Sequence, residues 1–176
     1  IDPNQVLAYP DFSANAEPFI IETDSSKLSE GAILKQNQNG HERVIAYASR
    51  SFPLSEQQWG ITQLEAHCIW WALTTQFGYY AKSSKKPVII RTDHKPCLAM
   101  KVSKVASERM YRWALSLQEY DMDIQHISGK KHIMADAISR LGYLKQAHEQ
   151  LLTELSNDNN YNSQINTITI NTTDIQ

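Results

Sequence analysis

Cysteine is scarce in this chain: Cys68 and Cys97 are the only two in 176 residues, and neither has a second Cys or a His at zinc-ligand spacing. A disulfide-stapled scaffold and a structural zinc site are therefore disfavoured, and the pair reads as buried thiols in a reducing compartment. Long apolar runs are missing too. No window approaches the roughly 20 apolar residues of a membrane helix, and the first residues lack the basic-then-apolar order of a signal peptide, so no membrane partner is expected. Net charge is nearly absent, at −2, but that balance hides a segregation. Residues 82–131 hold eleven Lys/Arg against five Asp/Glu, whereas residues 1–81 hold four against nine and the remainder two against five. A local basic stripe on a mildly acidic chain suits a phosphate backbone; solvated lysines on exposed loops are the other reading. With 41% hydrophobic residues, four Trp and eight Tyr, the chain is too apolar to be disordered, and its length allows one compact domain plus a tail. It begins at Ile1 and not Met, and so reads as a piece of something longer.

Pro3, Pro10 and Pro18 punctuate an opening stretch with little periodicity, read as an extended lead-in over residues 1–18. Phe19 to Asp24, Gly31 to Gln36 and Val44 to Arg50 read as three strands of an antiparallel meander, with a hairpin signal at Asn39-Gly40. Ser55-Glu56-Gln57-Gln58 fits a capping box, which predicts one long helix from there to about Phe77. Pro87 to Asp93 repeats the form of the first strand, and a helical crossover would lay the two parallel. A short helix opening near Pro96, a helix over Ser107–Glu119, a strand over Met122–Gln125 and a helix over His132–Leu141 complete the domain, 19–141. From 142 to 176 the chain reads as a helical stretch and then an Asn/Thr-rich linker or disordered tail.

Four acids stand where acids are costly. Asp24 and Asp93 close apolar strands in the same way, as Ile-Glu-Thr-Asp and Ile-Arg-Thr-Asp. On parallel neighbours both carboxylates would emerge at the carboxyl edge, where open α/β sheets bind ligands. Taken singly, Asp24 also fits a turn and Asp93 a helix cap. Glu65 interrupts an inward stripe of Ile61, Cys68 and Ala72, and Asp136 shares a face with Ile133, Ala137 and Arg140. A half-exposed Glu65 and an Asp136–Arg140 salt bridge are the competing readings. Four oxygen ligands make a hard anionic site suited to Mg²⁺, and a two-metal arrangement suits phosphodiester hydrolysis.

The surrounding motifs are more specific. Val6 to Phe12, Thr23-Asp24-Ser25-Ser26, Ile45 to Arg50, Thr92 to Pro96, Arg112 to Leu115 with Gln118 to Asp121, and Gly129-Lys130 with Ala135 to Arg140 occur in order. Together they resemble the ribonuclease H domain in reverse transcriptases of Ty3/gypsy-type retrotransposons. That resemblance implies an α/β fold with a five-stranded mixed sheet in order 3-2-1-4-5, flanked by helices. It implies endonucleolytic cleavage of the RNA strand of RNA/DNA hybrids, leaving a 3′-hydroxyl and 5′-phosphate. Its metal ligands map onto Asp24, Glu65, Asp93 and Asp136, holding two Mg²⁺ ions for which Mn²⁺ can substitute. It also implies a polymerase domain of the same polyprotein as partner, and an intracellular setting in a cytoplasmic particle with access to the nucleus.

Three positions depart from the pattern. Ser25 stands for the family's frequent Ala, Gln63 for its Glu, and His132 for its Asn four residues before the last Asp. His126, ten residues before Asp136, stands where related nucleases carry a proton-shuttling His, and is a candidate for proton transfer; a packed strand-end His is the alternative. Lys95, Lys101, Lys104, Arg109 and Lys130 are candidates for phosphate contacts, chosen for charge and for their expected proximity to the sheet edge. The stretch between Pro96 and Ser107 leaves no room for an extra basic helix, so weak activity without the polymerase domain is expected. The rival readings are a catalytically degenerate connector or nucleic-acid-binding module, and an integrase-type strand transferase, whose pattern lacks the first-helix Glu and ends in Glu.

Overall fold

The structure, a computed structural model, describes residues 7–102, 107–128, 135, 138–140 and 153. The chain divides into units 1–143 and 144–176, and of the second only Thr153 is described. The expected disordered tail and the helical stretch after Leu141 otherwise lie outside the described residues.

Five strands form the sheet: β1 Phe19–Ser25, β2 Ser29–Gln38, β3 His41–Ser51, β4 Val88–Thr92 and β5 Met122–His126. Their order is β3-β2-β1-β4-β5, as expected. β1, β2 and β3 are the antiparallel meander, and β2 turns into β3 through Asn39 and Gly40, both at positive φ (56° and 81°). Consecutive positive φ values define the hairpin turn whose twist matches the flanking strands, which is why Asn-Gly is favoured there. β4 pairs parallel to β1, with Ile20, Ile21 and Glu22 opposite Ile89, Ile90 and Arg91.

The crossover from β3 to β4 departs from one long helix. α1 covers only Leu54–Gln57 and follows Pro53, with no side-chain cap, so the Ser55 capping box does not form. The Gln57 amide instead donates to the Phe52 carbonyl at 2.8 Å. Gly60 is extended (ψ 152°) and α2 starts afresh over Ile61–Trp71; glycine's weak helix propensity makes it a natural break. From Ala72 to Gln76 the helix widens into a π segment before α3, Gly78–Ser83. Thr74 Oγ1 donates to the Trp70 carbonyl at 2.7 Å there, a side chain competing for the helix's own acceptor. The short helix opening at Lys95 is a 3₁₀ helix, Lys95–Val102. α4, Glu108–Leu117, is capped by the Ser107 hydroxyl, which accepts from Met110 N.

Alternation along β1 separates the two faces of the sheet. Phe19 and Ile21, with Leu34 and Ile90, join Ile69, Leu73, Met110, Ala114 and Leu117 in the core under the helices. Each large apolar side chain buried there contributes on the order of 2 kcal/mol. Ile20, Glu22 and Asp24 point the other way. On that face Glu22, 4% exposed, accepts from Lys35 (2.7 Å) and Arg91 (3.1 Å), and Arg91 reaches on to Glu42 (2.8 Å). The segment before β1 adopts neither helix nor strand in its described part, but it is tied down. The Gln36 amide donates to the carbonyls of Asp11 and Glu17, and Ala8 N donates to Val44 O.

Glu22→Ala removes the buried one of the two acids that Lys35 and Arg91 share, leaving them only the exposed Glu42. It should lower the unfolding free energy by about 3 kcal/mol. Glu42→Ala, at the exposed end of the same chain of charges, should cost under about 1 kcal/mol. Urea unfolding of both variants measures this, and equal losses would contradict the central place given to Glu22.

Candidate metal centre

The apolar run of β1 ends in Thr23-Asp24-Ser25 and that of β4 in Thr92, with Asp93 the next residue. Because the strands run parallel, both aspartates leave the sheet at the same edge. α2 crosses this edge and brings down Glu65, four residues after Ile61. Ile61 itself, expected in the inward stripe, is 51% exposed, since the first residue of α2 lies before the helix reaches its packed face. Carboxylate oxygens of Asp24, Glu65 and Asp93 all lie within 4.8 Å of one another. The three grade from buried to open: Glu65 is 3% exposed, Asp24 8%, and Asp93 faces solvent. The half-exposed reading of Glu65 is thereby rejected.

Glu65 is held but not satisfied. Its Oε1 accepts from the Ser25 hydroxyl (2.8 Å) and the Ser25 backbone N–H (3.2 Å). Its buried Oε2 has no hydrogen-bond partner among the described residues. Burial pushes its carboxyl up to about 8, the Asp24 charge adds to the rise, the Ser25 bonds oppose it, and Asp93 adds a smaller push. A buried acceptor left unpaired costs free energy, and so do neighbouring like charges. Both costs are relieved by a hard cation among the three oxygens, so the donor set fits a divalent metal such as Mg²⁺.

Ser139, 1% exposed, donates from Oγ to Asp24 Oδ2 at 2.9 Å. Asp136, the fourth expected ligand, lies outside the described residues, as do Lys104 and Lys130; Ala135 and residues 138–140 on either side of Asp136 are helical. His126 ends β5 exposed, with Nε2 3.1 Å from the Asp93 carbonyl oxygen. A carbonyl only accepts, so this ring nitrogen carries a proton. Lys95 is exposed two residues after Asp93, Lys101 pairs with Asp123 at 2.5 Å, and the Arg109 guanidinium lies 4.4 Å from the Trp59 ring centre.

Cys68 and Cys97 are free and buried, as expected. Burial first, then nearby acids, push both thiols up, which keeps them protonated bystanders. Sequence reasoning missed Ser25 as a Glu65 ligand-holder, and it missed Ser139 and the Thr62 hydroxyl, which meets His94 Nε2 at 2.9 Å beside Asp93. Single polar residues at element ends gave no signal of what they would face.

The sheet order and the acid cluster fit what comparison finds. Residues 14–120 match the RNase H-like domain found in reverse transcriptase, and the chain belongs to that family. The Retrovirus-related Pol polyprotein from transposon 412 of Drosophila melanogaster is 38% identical over 136 residues, covering 77% of this chain and 10% of that protein. Its counterpart from transposon 297 of the same species is 31% identical over 157 residues, covering 89% and 14%. The chain thus spans a small part of the polyproteins it matches. Among solved structures, LC11-RNase H1 in complex with RNA/DNA hybrid aligns with a TM-score of 0.59 at 15% identity, over 73% of this chain and 99% of that one. At that identity the likeness shows the fold.

The Glu65 carboxyl has a sign consequence. Its folded pKa lies above the ordinary 4.5, so its contribution to stability is full below that value and is lost as pH rises toward about 8. In chelator, Glu65→Gln should be more stable than wild type at pH 8, with the gap shrinking as pH falls to 5. Thermal unfolding across that range tests it, and a gap that ignores pH contradicts a buried, repelled carboxyl.

Proposed function

We propose that this chain hydrolyses the RNA strand of RNA/DNA hybrids as the ribonuclease H domain of a Ty3/gypsy-type Pol polyprotein. The observation that carries the reading is the convergence of Asp24, Glu65 and Asp93 within 4.8 Å, one of them with a buried oxygen that has no partner among the described residues. Membership in a family of reverse-transcriptase domains supplies the substrate class. On this reading residues 1–18 lead in from the polymerase side, 19–141 are the nuclease and 142–176 a linker.

Asp24, Glu65 and Asp93, with Asp136 from the closing motif, are the residues that would hold two Mg²⁺ ions or Mn²⁺ in their place. When bound, such ions supply Lewis-acid activation and charge neutralisation at the scissile phosphate. The protein's own contribution is to fix the acids before substrate arrives. Ser25 locks Glu65 through two hydrogen bonds and Ser139 locks one oxygen of Asp24. Asp93 faces the open side, where a phosphate can approach, with the exposed Lys95 two residues on. Lys101 would give up Asp123 to meet a phosphate, Arg109 could offer its N–H edge from over Trp59, and Lys104 and Lys130 enter this reading from sequence. On this reading His126, whose Nε2 meets the Asp93 carbonyl while the residue stays exposed, would exchange a proton between the reacting phosphate and water.

A labelled RNA/DNA hybrid in Mg²⁺ or Mn²⁺ should be cut by the wild type, not in chelator, and at least about 10³-fold more slowly by Asp24→Asn. Binding without cutting in either metal would favour the degenerate connector. His126→Ala should slow turnover by about 10²-fold with metal binding unchanged. Identical rates for that variant and wild type from pH 6 to 9 would remove His126 from proton transfer.

A further inference from the structure

Asp24 stands opposite Gly31 in the β1–β2 ladder. Residues directly opposite in an antiparallel pair share a face, so Gly31 leaves an empty place beside the Asp24 carboxylate. The closing segment fills it. A Cβ on Gly31 would lie 2.5 Å from Ser139 N, 2.9 Å from Ser139 Cα and 2.9 Å from Ile138 C, all backbone that cannot step aside. Ser29, two residues earlier on the same face, donates its hydroxyl to the Ser139 carbonyl. Ser139 in turn donates to Asp24 Oδ2 at 2.9 Å.

We propose that Ser139 is a positioning residue for the metal centre: seated in the socket made by Gly31 and Ser29, its hydroxyl sets the rotation of the Asp24 carboxylate toward Glu65 and Asp93. The inference rests on the metal-site reading above. Three features serve one contact. Glycine where any side chain would collide, a hydroxyl that fixes the incoming carbonyl, and a second hydroxyl aimed at the acid together define where Ser139 sits and what it holds. A carboxylate on a short side chain turns freely unless one oxygen is engaged; engaging Oδ2 restricts that rotation before a cation arrives and so lowers the entropy lost on binding. Asp136 stands three residues before Ser139 in the sequence, so the residue that positions one acid belongs to the same short stretch as another.

The test is Mn²⁺ binding by titration calorimetry on the full 176-residue chain, with thermal unfolding in chelator measured alongside. Ser139→Ala should weaken Mn²⁺ affinity at least tenfold, and Ser139→Thr, which keeps the hydroxyl, should restore it to within about threefold of wild type. Ser29→Ala, which loosens the seat without touching Asp24, should weaken affinity by an intermediate factor. If Ser139→Ala lowers only the melting temperature and binds Mn²⁺ as wild type does, Ser139 is merely structural and the proposal falls while the metal site stands. If wild type itself binds no Mn²⁺, the metal-site reading fails and the positioning role fails with it; the wild-type isotherm separates the two cases. Should Ser139→Ala not fold, the Ser29→Ala isotherm decides, wild-type affinity there overturning the proposal.

Discussion

The parallel pairing of β1 with β4 is the constraint on which the rest of the structure depends. Parallel neighbours cannot be joined by a tight turn; the chain must cross over the sheet, and α1, α2 and α3 lie in that crossover. The same pairing therefore does two jobs. It sends Asp24 and Asp93 out at one edge, and it obliges a helix to pass that edge, which is how Glu65 arrives. An antiparallel pairing would have sent the two aspartates to opposite ends.

Gathering three acids costs stability, and the surrounding residues show how that cost is contained. Ser25 supplies two donors to Glu65, Ser139 supplies one to Asp24, and Asp93 is left in water, where its charge is well solvated. The buried thiols of Cys68 and Cys97 add small, neutral packing beside the acids. Another buried acid, Glu30, is handled differently. Arg50 donates to it at 2.5 Å and His67 Nδ1 lies 2.9 Å away, so it is compensated by protein alone. Glu22 is likewise met by Lys35 and Arg91. Against these paired acids, the Glu65 Oε2 stands out as a buried carboxylate oxygen with no hydrogen-bond partner among the described residues.

Much of this was legible in the sequence because it follows from local pattern. The apolar runs ending in Thr-Asp, the Asn39-Gly40 turn and the spacing of α4 gave the strands, the hairpin and the helix, whereas the sheet order followed from the family resemblance. The long crossover helix was misjudged because Ser55 and Gln58 carry the right atoms for a cap, while Pro53, Gly60 and Thr74 divide the segment by backbone geometry that composition does not rank. The segment around Asp11 offered no periodicity, yet Gln36, a buried amide on β2, holds it by two carbonyls.

Which residues carry charge, which runs bury, and that acids sit at strand ends and on an inward helical face can all be read from the chain in one dimension, since these depend on side-chain chemistry and the periods of helix and strand. It takes the packed fold to bring Asp24, Glu65 and Asp93 within 4.8 Å, to leave one Glu65 oxygen without a hydrogen-bond partner among the described residues, and to seat Ser139 against Gly31, 108 positions away in the chain, beside Asp24. Distances between residues far apart in the chain are set by strand register and helix crossing, and register is a collective property of the packed sheet that no single segment encodes.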